Sequence, residues 1–371
     1  MVRSIYDGID TPALLIDEEQ MRRNLAEMQE RADRLGVKLR PHTKTHKMPE
    51  LAELQLSYGA SGITVAKVGE AEVMADYGIK DIFIANEIVG ERKWERLAEL
   101  TGKAKVSFGV DSPEAVHGIE KVFCRKNAEA VVRIEIETGE KRSGITDEIV
   151  FYRLLEAVKE SPHVVLEGIF SHEGHSYGAS SVEECRSIFE NAQERTVYYS
   201  ELARREGFSI QEVSIGSTPS LMHGLKLLDG ITEIRPGTYI FMDVGQGNCI
   251  GTYETCAVTV LATIISKPQE YRVIGDAGAK ALTSQERGEG LCHTEGKGYI
   301  KGSQGVYVNQ VFDEHTIINS ESLFREMAIG DKIEIIPNHI CPVCNLYDEA
   351  YLVSGGNIIR KIKILGRGKI Q

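Results

Sequence analysis

The feature that most constrains the fold is a long alternation of apolar strand patterns with amphipathic helix patterns. From residue 11 to about residue 222, apolar runs such as GITVA, DIFIAN and KVSFGV alternate with helix patterns, several of which end at a glycine. About eight units of roughly 25 to 30 residues, with strands that are apolar throughout, indicate a parallel sheet covered by helices. An open doubly wound sheet also fits. We predict a closed (β/α)8 TIM-type barrel, because polar residues recur just after strand ends, where barrel enzymes place their chemistry.

The pattern changes near residue 250. Beyond the glycine-rich stretch GQGNCIG, long helix patterns disappear, and short β-branched runs separated by Gly, Asp or Asn turns take their place. This change predicts a second, all-β domain. The α/β chain is therefore expected to comprise a barrel over residues 1–248 and a C-terminal β domain over residues 249–371.

Charge and cysteine content narrow the function classes. A net charge of −12 and a pI near 5.4 argue against a nucleic-acid or anionic-membrane partner. No apolar run approaches membrane-spanning length, and the first residues lack the apolar core of a signal peptide. Seven cysteines without such a signal predict reduced thiols in a cytoplasmic protein.

A basic cluster follows the second predicted strand, in the stretch LRPHTKTHK. Cationic neighbours and partial burial both lower the pKa of a lysine, which makes its amine nucleophilic. Lys44 has four such neighbours: Arg40, His42, His46 and Lys47. It is therefore a candidate for forming an imine with an aldehyde cofactor, of which pyridoxal 5'-phosphate is the commonest. A solvated basic loop is the alternative interpretation. Lys280, in DAGAK, ranks second because its small neighbours offer less to depress a pKa.

Two further strand ends carry candidate chemistry. The stretch Gly216, Ser217 and Thr218 leads into a helix, where exposed amides and hydroxyls suit a phosphate, although a capped turn is the plainer interpretation. The segment SHEGHSY places His172 and His175 near Tyr177. Such a pair is suited to general acid/base work near neutral pH, whereas a lone histidine is more often structural.

The C-terminal half contains a candidate metal pair, His339 and Cys341, in PNHICPVC. Two residues apart on an extended segment, they would point to one side and favour zinc, leaving positions open for substrate. A redox site at Cys341 and Cys344 is disfavoured by its place in a β-rich region. Arg142 is either an ordinary surface ion-pair residue or an anchor for a cofactor phenolate or substrate carboxylate, and Arg133 has the same two interpretations.

Several motifs together carry a family likeness. PHTKTHK, GSTPS, RPGTYIFMD, DAGAKAL and PNHICPVCNLYDE occur in the expected order over essentially the whole chain. The chain thus resembles the D-threonine aldolase / D-serine dehydratase family, pyridoxal-phosphate enzymes of the alanine-racemase fold type. The resemblance implies a barrel followed by a β domain. It also implies a homodimer whose active sites lie between the barrel of one subunit and the β domain of its partner.

The resemblance also implies residue roles. Lys44 would hold pyridoxal phosphate, Arg142 would lie by its phenolate, and Tyr177 would contact the cofactor. The phosphate would be held by Gly216, Ser217, Thr218, Gly237 and Tyr239. His339 and Cys341 would bind a divalent metal, zinc before manganese or magnesium. Parts of the sequence point to different branches of the family. Cys341, where some aldolases have Asp, and the segment SHEGHSY are closer to the dehydratases. The segment CPVCNLYDE is closer to the aldolases.

These expectations converge on a metal-dependent lyase acting on D-3-hydroxy amino acids. We favour an aldolase that releases glycine and an aldehyde, since the C-terminal signature is the longer match. The alternative is a D-serine or D-3-hydroxyaspartate dehydratase that releases a 2-oxo acid and ammonia. Two further alternatives are an amino-acid racemase and a non-catalytic pyridoxal-phosphate carrier. The candidate metal pair argues against the racemase, which would need no metal, and the β domain argues against the carrier, which would need only a barrel.

Overall fold

The computed structural model of the chain describes Tyr6 and residues 8–371. Its first strand, β1 (Ala13–Asp17), runs into helix α1 (Glu18–Leu35). The Asp17 side chain accepts a hydrogen bond from the Gln20 amide at 2.9 Å, and Gly36 ends the helix in a left-handed conformation. Met21, Leu25 and other residues at helical spacing form its buried face. Local capping and apolar periodicity thus explain both ends of α1.

Eight parallel strands follow in the spatial order β2-β9-β8-β7-β6-β5-β4-β3. A bridge between His42 and Thr64, with a 2.8 Å bond from the Thr64 amide to the Pro41 carbonyl, joins the two ends of this sheet. The predicted closed barrel is confirmed. Its strands are β2 (Lys38–Leu39), β3 (Ile63–Val65), β4 (Asp81–Glu87), β5 (Lys105–Val110), β6 (Ala130–Ile136), β7 (Val164–Ser171), β8 (Glu212–Ile215) and β9 (Glu233–Ile234).

Helices cover the outside of the barrel between successive strands. Apolar residues at helical spacing mark these helices in the sequence, and glycines mark several of their ends. They are α2 (Pro49–Ser57), α3 (Val68–Tyr77), α4 (Glu91–Leu100), α5 (Pro113–Lys126), α6 (Glu148–Lys159), α7 (Val182–Arg205), α8 (Thr218–Met222) and α9 (Val244–Ile250). Three 3-10 turns lie at 43–45, 174–178 and 238–240.

The C-terminal half builds a second, mostly antiparallel sheet, as predicted. Its strands are β10 (Val258–Ser266), β11 (Arg272–Gly275), β12 (Tyr299–Ile300), β13 (Gln310–Val311), β14 (Thr316–Asn319), β15 (Lys332–Ile336), β16 (Glu349–Ser354) and β17 (Asn357–Lys363). Three short helices interrupt them: α10 (Ala279–Leu282), α11 (Glu321–Glu326) and α12 (Ile340–Cys344).

Strand β1 belongs to this second sheet, although it precedes the barrel in the chain. It pairs antiparallel with β10 and parallel with β16, for example Leu15 with Thr259 and with Tyr351. The boundary at residue 248 therefore leaves one strand of the second sheet on the barrel side. An apolar run shows that a strand is buried, but it does not show which sheet the strand joins.

A layer of buried ion pairs crosses the barrel interior. Arg133 is fully buried and pairs with Glu167 at 2.9 Å and with Glu233 at 2.8 Å. Arg40 pairs with the same Glu233 at 2.6 Å and with Asp81 at 2.5 Å. Arg133 is therefore neither a surface ion-pair residue nor a cofactor anchor, because its guanidinium lies inside the barrel between two carboxylates.

Candidate active site

A cavity of about 270 Å³ opens at the carboxyl ends of the barrel strands. Most residues proposed from the sequence for catalysis or cofactor binding lie around it, although they are far apart in the chain. The cavity lining includes Lys44, Arg142, His172, Tyr177, Gly216, Ser217, Thr218 and Gly237. The barrel therefore brings one lysine, two imidazoles (His42 and His172), one phenol and a glycine–hydroxyl loop to a single cavity.

Lys44 lies in the 3-10 turn that follows β2. Burial lowers the pKa of its amine; the nearby Cys341 thiol opposes this shift and the Arg142 guanidinium reinforces it. His46 faces away from the cavity, since its Nδ1 accepts a 3.0 Å bond from the Met48 amide and its Nε2 contacts Gln55. The described environment of Lys44 thus favours the uncharged amine that an imine-forming lysine needs.

The loop after β8 fits a phosphate group. Thr218 is 1% exposed, and its Oγ1 is buried without a hydrogen-bond partner in the described part of the chain. A Cβ at Gly216 would lie 2.7 Å from the Arg235 amide nitrogen, and one at Gly237 would lie 3.0 Å from the His42 carbonyl oxygen. Both positions therefore require glycine. A phosphate bound beside these two glycines would supply the hydrogen-bond partner that the Thr218 hydroxyl lacks.

The two predicted acid/base histidines have different positions. His172 lines the cavity, and its Nδ1 donates a 2.6 Å bond to the Gly216 carbonyl, which leaves the Nε2 lone pair free. Burial, with Lys44 and Arg142 nearby, lowers the pKa of His172 well below its usual value. His175 does not line the cavity, and its buried Nδ1 lacks a partner in the described chain.

Acidic residues hold Arg142 at the cavity wall. Its guanidinium lies 3.3 Å from Glu135 and 3.3 Å from Glu140, and Ser143 donates a 2.8 Å bond to Glu135. Glu87 also lines the cavity; burial, together with the hydrogen bond and charge of Glu135, raises the pKa of Glu87 to about 9. At neutral pH the Glu87 carboxyl is therefore protonated and can donate a hydrogen bond to Glu135.

The candidate metal pair comes from the β domain of the same chain. The Cys341 thiol donates a 3.3 Å bond to Thr45 Oγ1, directly beside Lys44. His339 Nδ1 donates to Gln285 Oε1 at 3.0 Å, and burial lowers the pKa of His339 to about 4. The imidazole is therefore neutral with Nε2 free, which is the form a metal binds. Burial raises the pKa of the Cys341 thiol, whereas a metal would favour its thiolate.

The structure corrects the expected geometry of this pair. His339 caps the short helix α12 and Cys341 lies within it, so the segment is not extended as predicted. Within the described residues, three metal-type ligand atoms approach within 4.8 Å of one another only at Glu120, Cys124 and His163. His163 precedes β7, so that group lies at the opposite end of the barrel.

Two other sequence candidates lie away from the cavity. Tyr239 is 2% exposed, and its hydroxyl accepts a 3.0 Å bond from Gln55, so it is not brought to the predicted phosphate position. Lys280 is exposed and pairs with Glu314 at 2.6 Å. Its charged, solvated amine lacks the burial that makes Lys44 a candidate.

Sequence reasoning missed several cavity residues. Arg235 lines the cavity and donates 2.5 Å bonds to Ser214 Oγ and to the Ser171 carbonyl. Thr238 and Glu87 line it as well. Arg235 and Thr238 stand in RPGTYIFMD, and Glu87 follows the strand-end Asn86, so the signals were present without an assigned role.

Comparison with known proteins agrees with this fold. The alanine racemase N-terminal domain model matches residues 16–244, and the serine dehydratase domain model matches residues 257–353. A D-threonine aldolase from an Arthrobacter species is 33% identical over 365 residues, 97% of this chain and 93% of that one. The D-threo-3-hydroxyaspartate dehydratase of Delftia sp. HT23 is 34% identical over 351 residues, 90% of this chain and 91% of that one.

Solved structures of similar proteins share the whole architecture. That of the Delftia dehydratase superposes with a TM-score of 0.91 at 28% identity and covers 97% of this chain and 99% of its own. That of a D-threonine aldolase from Filomicrobium marinum superposes with a TM-score of 0.86 at 29% identity and covers 98% and 97%.

Fold and cavity together define a pyridoxal-phosphate-dependent lyase of the alanine-racemase fold type. The chain belongs to the alanine racemase N-terminal domain family and, within it, groups with enzymes named D-threonine aldolase, D-serine dehydratase and 3-hydroxyaspartate dehydratase. Among the described helices, none is both long and apolar enough to cross a membrane.

Proposed function

We propose that this chain is a metal-dependent pyridoxal-phosphate lyase that cleaves D-threonine and related D-3-hydroxy amino acids to glycine and an aldehyde. The observation that carries the proposal is the contact between Cys341 and Thr45 at 3.3 Å. It brings one member of the candidate metal pair next to the turn that carries Lys44, and Lys44 lines the cavity. The β-hydroxyl of the substrate, on which such a lyase acts, would then lie between the metal pair and the lysine.

The cavity residues support binding of the cofactor. Lys44 would hold its aldehyde carbon, Arg142 would lie by its phenolate, and Gly216, Ser217 and Thr218 would hold the phosphate. Bound pyridoxal phosphate supplies the electron sink that weakens bonds at the substrate Cα. Tyr177, on the cavity wall, would contact the cofactor and help to exclude water from the reacting carbon.

The chain's own groups would manage two protons. His172 Nε2 is uncharged and faces the cavity, so in our proposal it accepts the proton of the β-hydroxyl while the Cα–Cβ bond breaks. Lys44 Nζ would take up the protons that the substrate ammonium loses when its nitrogen replaces the lysine, and would then return one of them to Cα and complete glycine. His175 receives no role, because it lies outside the cavity lining.

His339 and Cys341 would bind the divalent ion, with zinc expected from the imidazole and thiol donors. When bound, this ion supplies Lewis acidity at the β-hydroxyl. The relatives support such a site, since the Delftia dehydratase has been solved in a metal-free form as a cysteine-to-alanine variant. It has also been solved as a histidine-to-alanine variant two positions earlier, the same spacing as His339 and Cys341.

A dehydratase is the second candidate. It is favoured by the higher TM-score to the Delftia dehydratase, 0.91 against 0.86 for the Filomicrobium aldolase. In that reaction Lys44 would remove the Cα proton and water would leave from Cβ, and a second water would hydrolyse the resulting enamine to a 2-oxo acid and ammonia. A homodimer is also part of the proposal, although the candidate metal pair of each subunit already lies beside its own Lys44.

The test is a product assay on zinc-loaded holoenzyme with D-threonine and D-serine, with and without EDTA. We expect glycine and acetaldehyde from D-threonine, lost on chelation and in His339→Ala and Cys341→Ala. Zinc content, measured separately, should fall in both variants. Oxo acid and ammonia would establish the dehydratase instead. Turnover that survives both chelation and the two substitutions would overturn the metal assignment.

A further inference from the structure

Arg287 differs from two other arginines near the cavity because its guanidinium has no hydrogen-bond or ion-pair partner in the described part of the chain. In the described part of the chain no carboxylate lies within 4.0 Å of its guanidinium, and its Nε is buried without a hydrogen-bond partner. Arg142 pairs with two glutamates, and Arg235 is held by a hydroxyl and a carbonyl inside the barrel. A partly buried guanidinium without a partner is costly unless an anion occupies its donors.

The position of Arg287 relates it to the proposed site. Its guanidinium carbon lies 4.4 Å from the ring centroid of Tyr177, a residue of the cavity lining. Two residues before Arg287, the Gln285 side chain accepts a 3.0 Å bond from His339 Nδ1. Arg287 is therefore close to both the cavity wall and the candidate metal pair.

The loop that carries Arg287 is fixed over this region by several bonds. Gln285 accepts from His339 Nδ1 at 3.0 Å, and its carbonyl accepts from Asn338 at 3.1 Å. The Arg287 amide donates to Thr294 Oγ1 at 2.9 Å, and the Cys292 amide donates to the Tyr177 carbonyl at 3.2 Å. The backbone that carries the guanidinium is thus held in place before any ligand arrives, which favours tight anion binding.

We infer that Arg287 binds the α-carboxylate of the amino-acid substrate. This inference rests on the proposed function and deepens it. The substrate amine would be directed to Lys44 and the β-hydroxyl to His339 and Cys341, so the remaining charged group needs a third contact. Arg287 is the unpaired cation next to those two points, and a guanidinium matches a carboxylate with two parallel hydrogen bonds. Three separate contacts on one carbon would also distinguish D from L amino acids.

The test compares two probes that differ only in this carboxylate. D-alanine and D-alaninamide share the amine, the methyl group and the stereocentre, and neither carries the β-hydroxyl that both candidate reactions require. Dissociation constants are measured by calorimetry on zinc-loaded holoenzyme for the wild type, Arg287→Met and Arg287→Lys. Arg325→Met is the matched control, because Arg325 is an exposed arginine in helix α11 that pairs only locally, with Glu321.

We expect the wild type and Arg325→Met to bind D-alanine about 10- to 100-fold more tightly than D-alaninamide, the range of a charge-assisted hydrogen bond. In Arg287→Met this preference should fall below about threefold while D-alaninamide affinity is unchanged, and Arg287→Lys should restore part of it. Equal weakening of both probes would assign Arg287 to stacking on Tyr177 and overturn the inference. An unchanged preference in Arg287→Met would also overturn it. If the wild-type holoenzyme binds neither amine, the proposed function fails first.

Discussion

Substituting Gly216 by alanine tests the assignment of the phosphate loop. The added Cβ would lie 2.7 Å from the Arg235 amide nitrogen and 3.1 Å from two further backbone atoms of Arg235, where ordinary contacts begin at 3.4 Å. Backbone atoms cannot move aside as a flexible side chain can, and the Arg235 amide is bonded to the Ile215 carbonyl at 2.9 Å. The loop must therefore shift away from strand β9. Overpacking of this kind typically costs about 1–3 kcal/mol.

If the loop holds the phosphate, this cost reduces cofactor affinity by roughly 10- to 100-fold, since 1.4 kcal/mol is a factor of ten. The assay titrates apoenzyme with pyridoxal phosphate and follows the visible absorption of the bound cofactor, while circular dichroism reports the melting temperature. Gly178→Ala is the matched control at the same end of the barrel, because its Cβ would meet no atom within 4 Å. Wild-type affinity in a folded Gly216→Ala protein would refute the assignment.

Two further predictions concern buried carboxyl groups. Burial alone would raise the pKa of Glu233, but Arg133 and Arg40 outweigh burial and hold this pKa far below its usual value. The contribution of Glu233 to stability is therefore present above about pH 4.5 and is lost as the pH falls below that value. Glu233→Gln should cost about 3–5 kcal/mol in urea unfolding at pH 7 and flatten this acid limb; an unchanged midpoint would contradict the buried ion-pair account. Glu87 has a raised pKa of about 9, so the wild type should lose stability between about pH 4.5 and 9, and Glu87→Gln should not. Parallel melting curves over that range would show that Glu87 is already ionised at neutral pH.

The barrel could be predicted from the sequence because its signals are local. Helix α1 is bounded by the Asp17 cap and Gly36, and α3 likewise ends at a glycine, Gly78. The partners of β1 could not be predicted, since pairing with β10 and β16 depends on residues more than 240 positions away. No pattern in an apolar pentapeptide encodes that choice.

The candidate site was predictable where function requires an unusual residue type at a strand end. Lys44, His172 and Gly216 were proposed in this way, and all three line the cavity. Tyr239 was proposed as well but is buried away from the cavity lining, and the order of residues in RPGTYIFMD does not show which side chains turn into the core. Nothing in the sequence around Arg287 indicated a role in the site. Its relevance appears only when the fold shows a guanidinium without a carboxylate beside Tyr177 and His339.

The measurement that tests the account most directly identifies the lysine that holds the cofactor. Holoenzyme is reduced with borohydride, which fixes pyridoxal phosphate to its lysine, and peptides are mapped by mass spectrometry. The account predicts the adduct on Lys44, with none in Lys44→Ala and no change in Lys280→Ala, because Lys280 is exposed and paired with Glu314. An adduct on Lys280, or one that persists in Lys44→Ala, would contradict the proposed site.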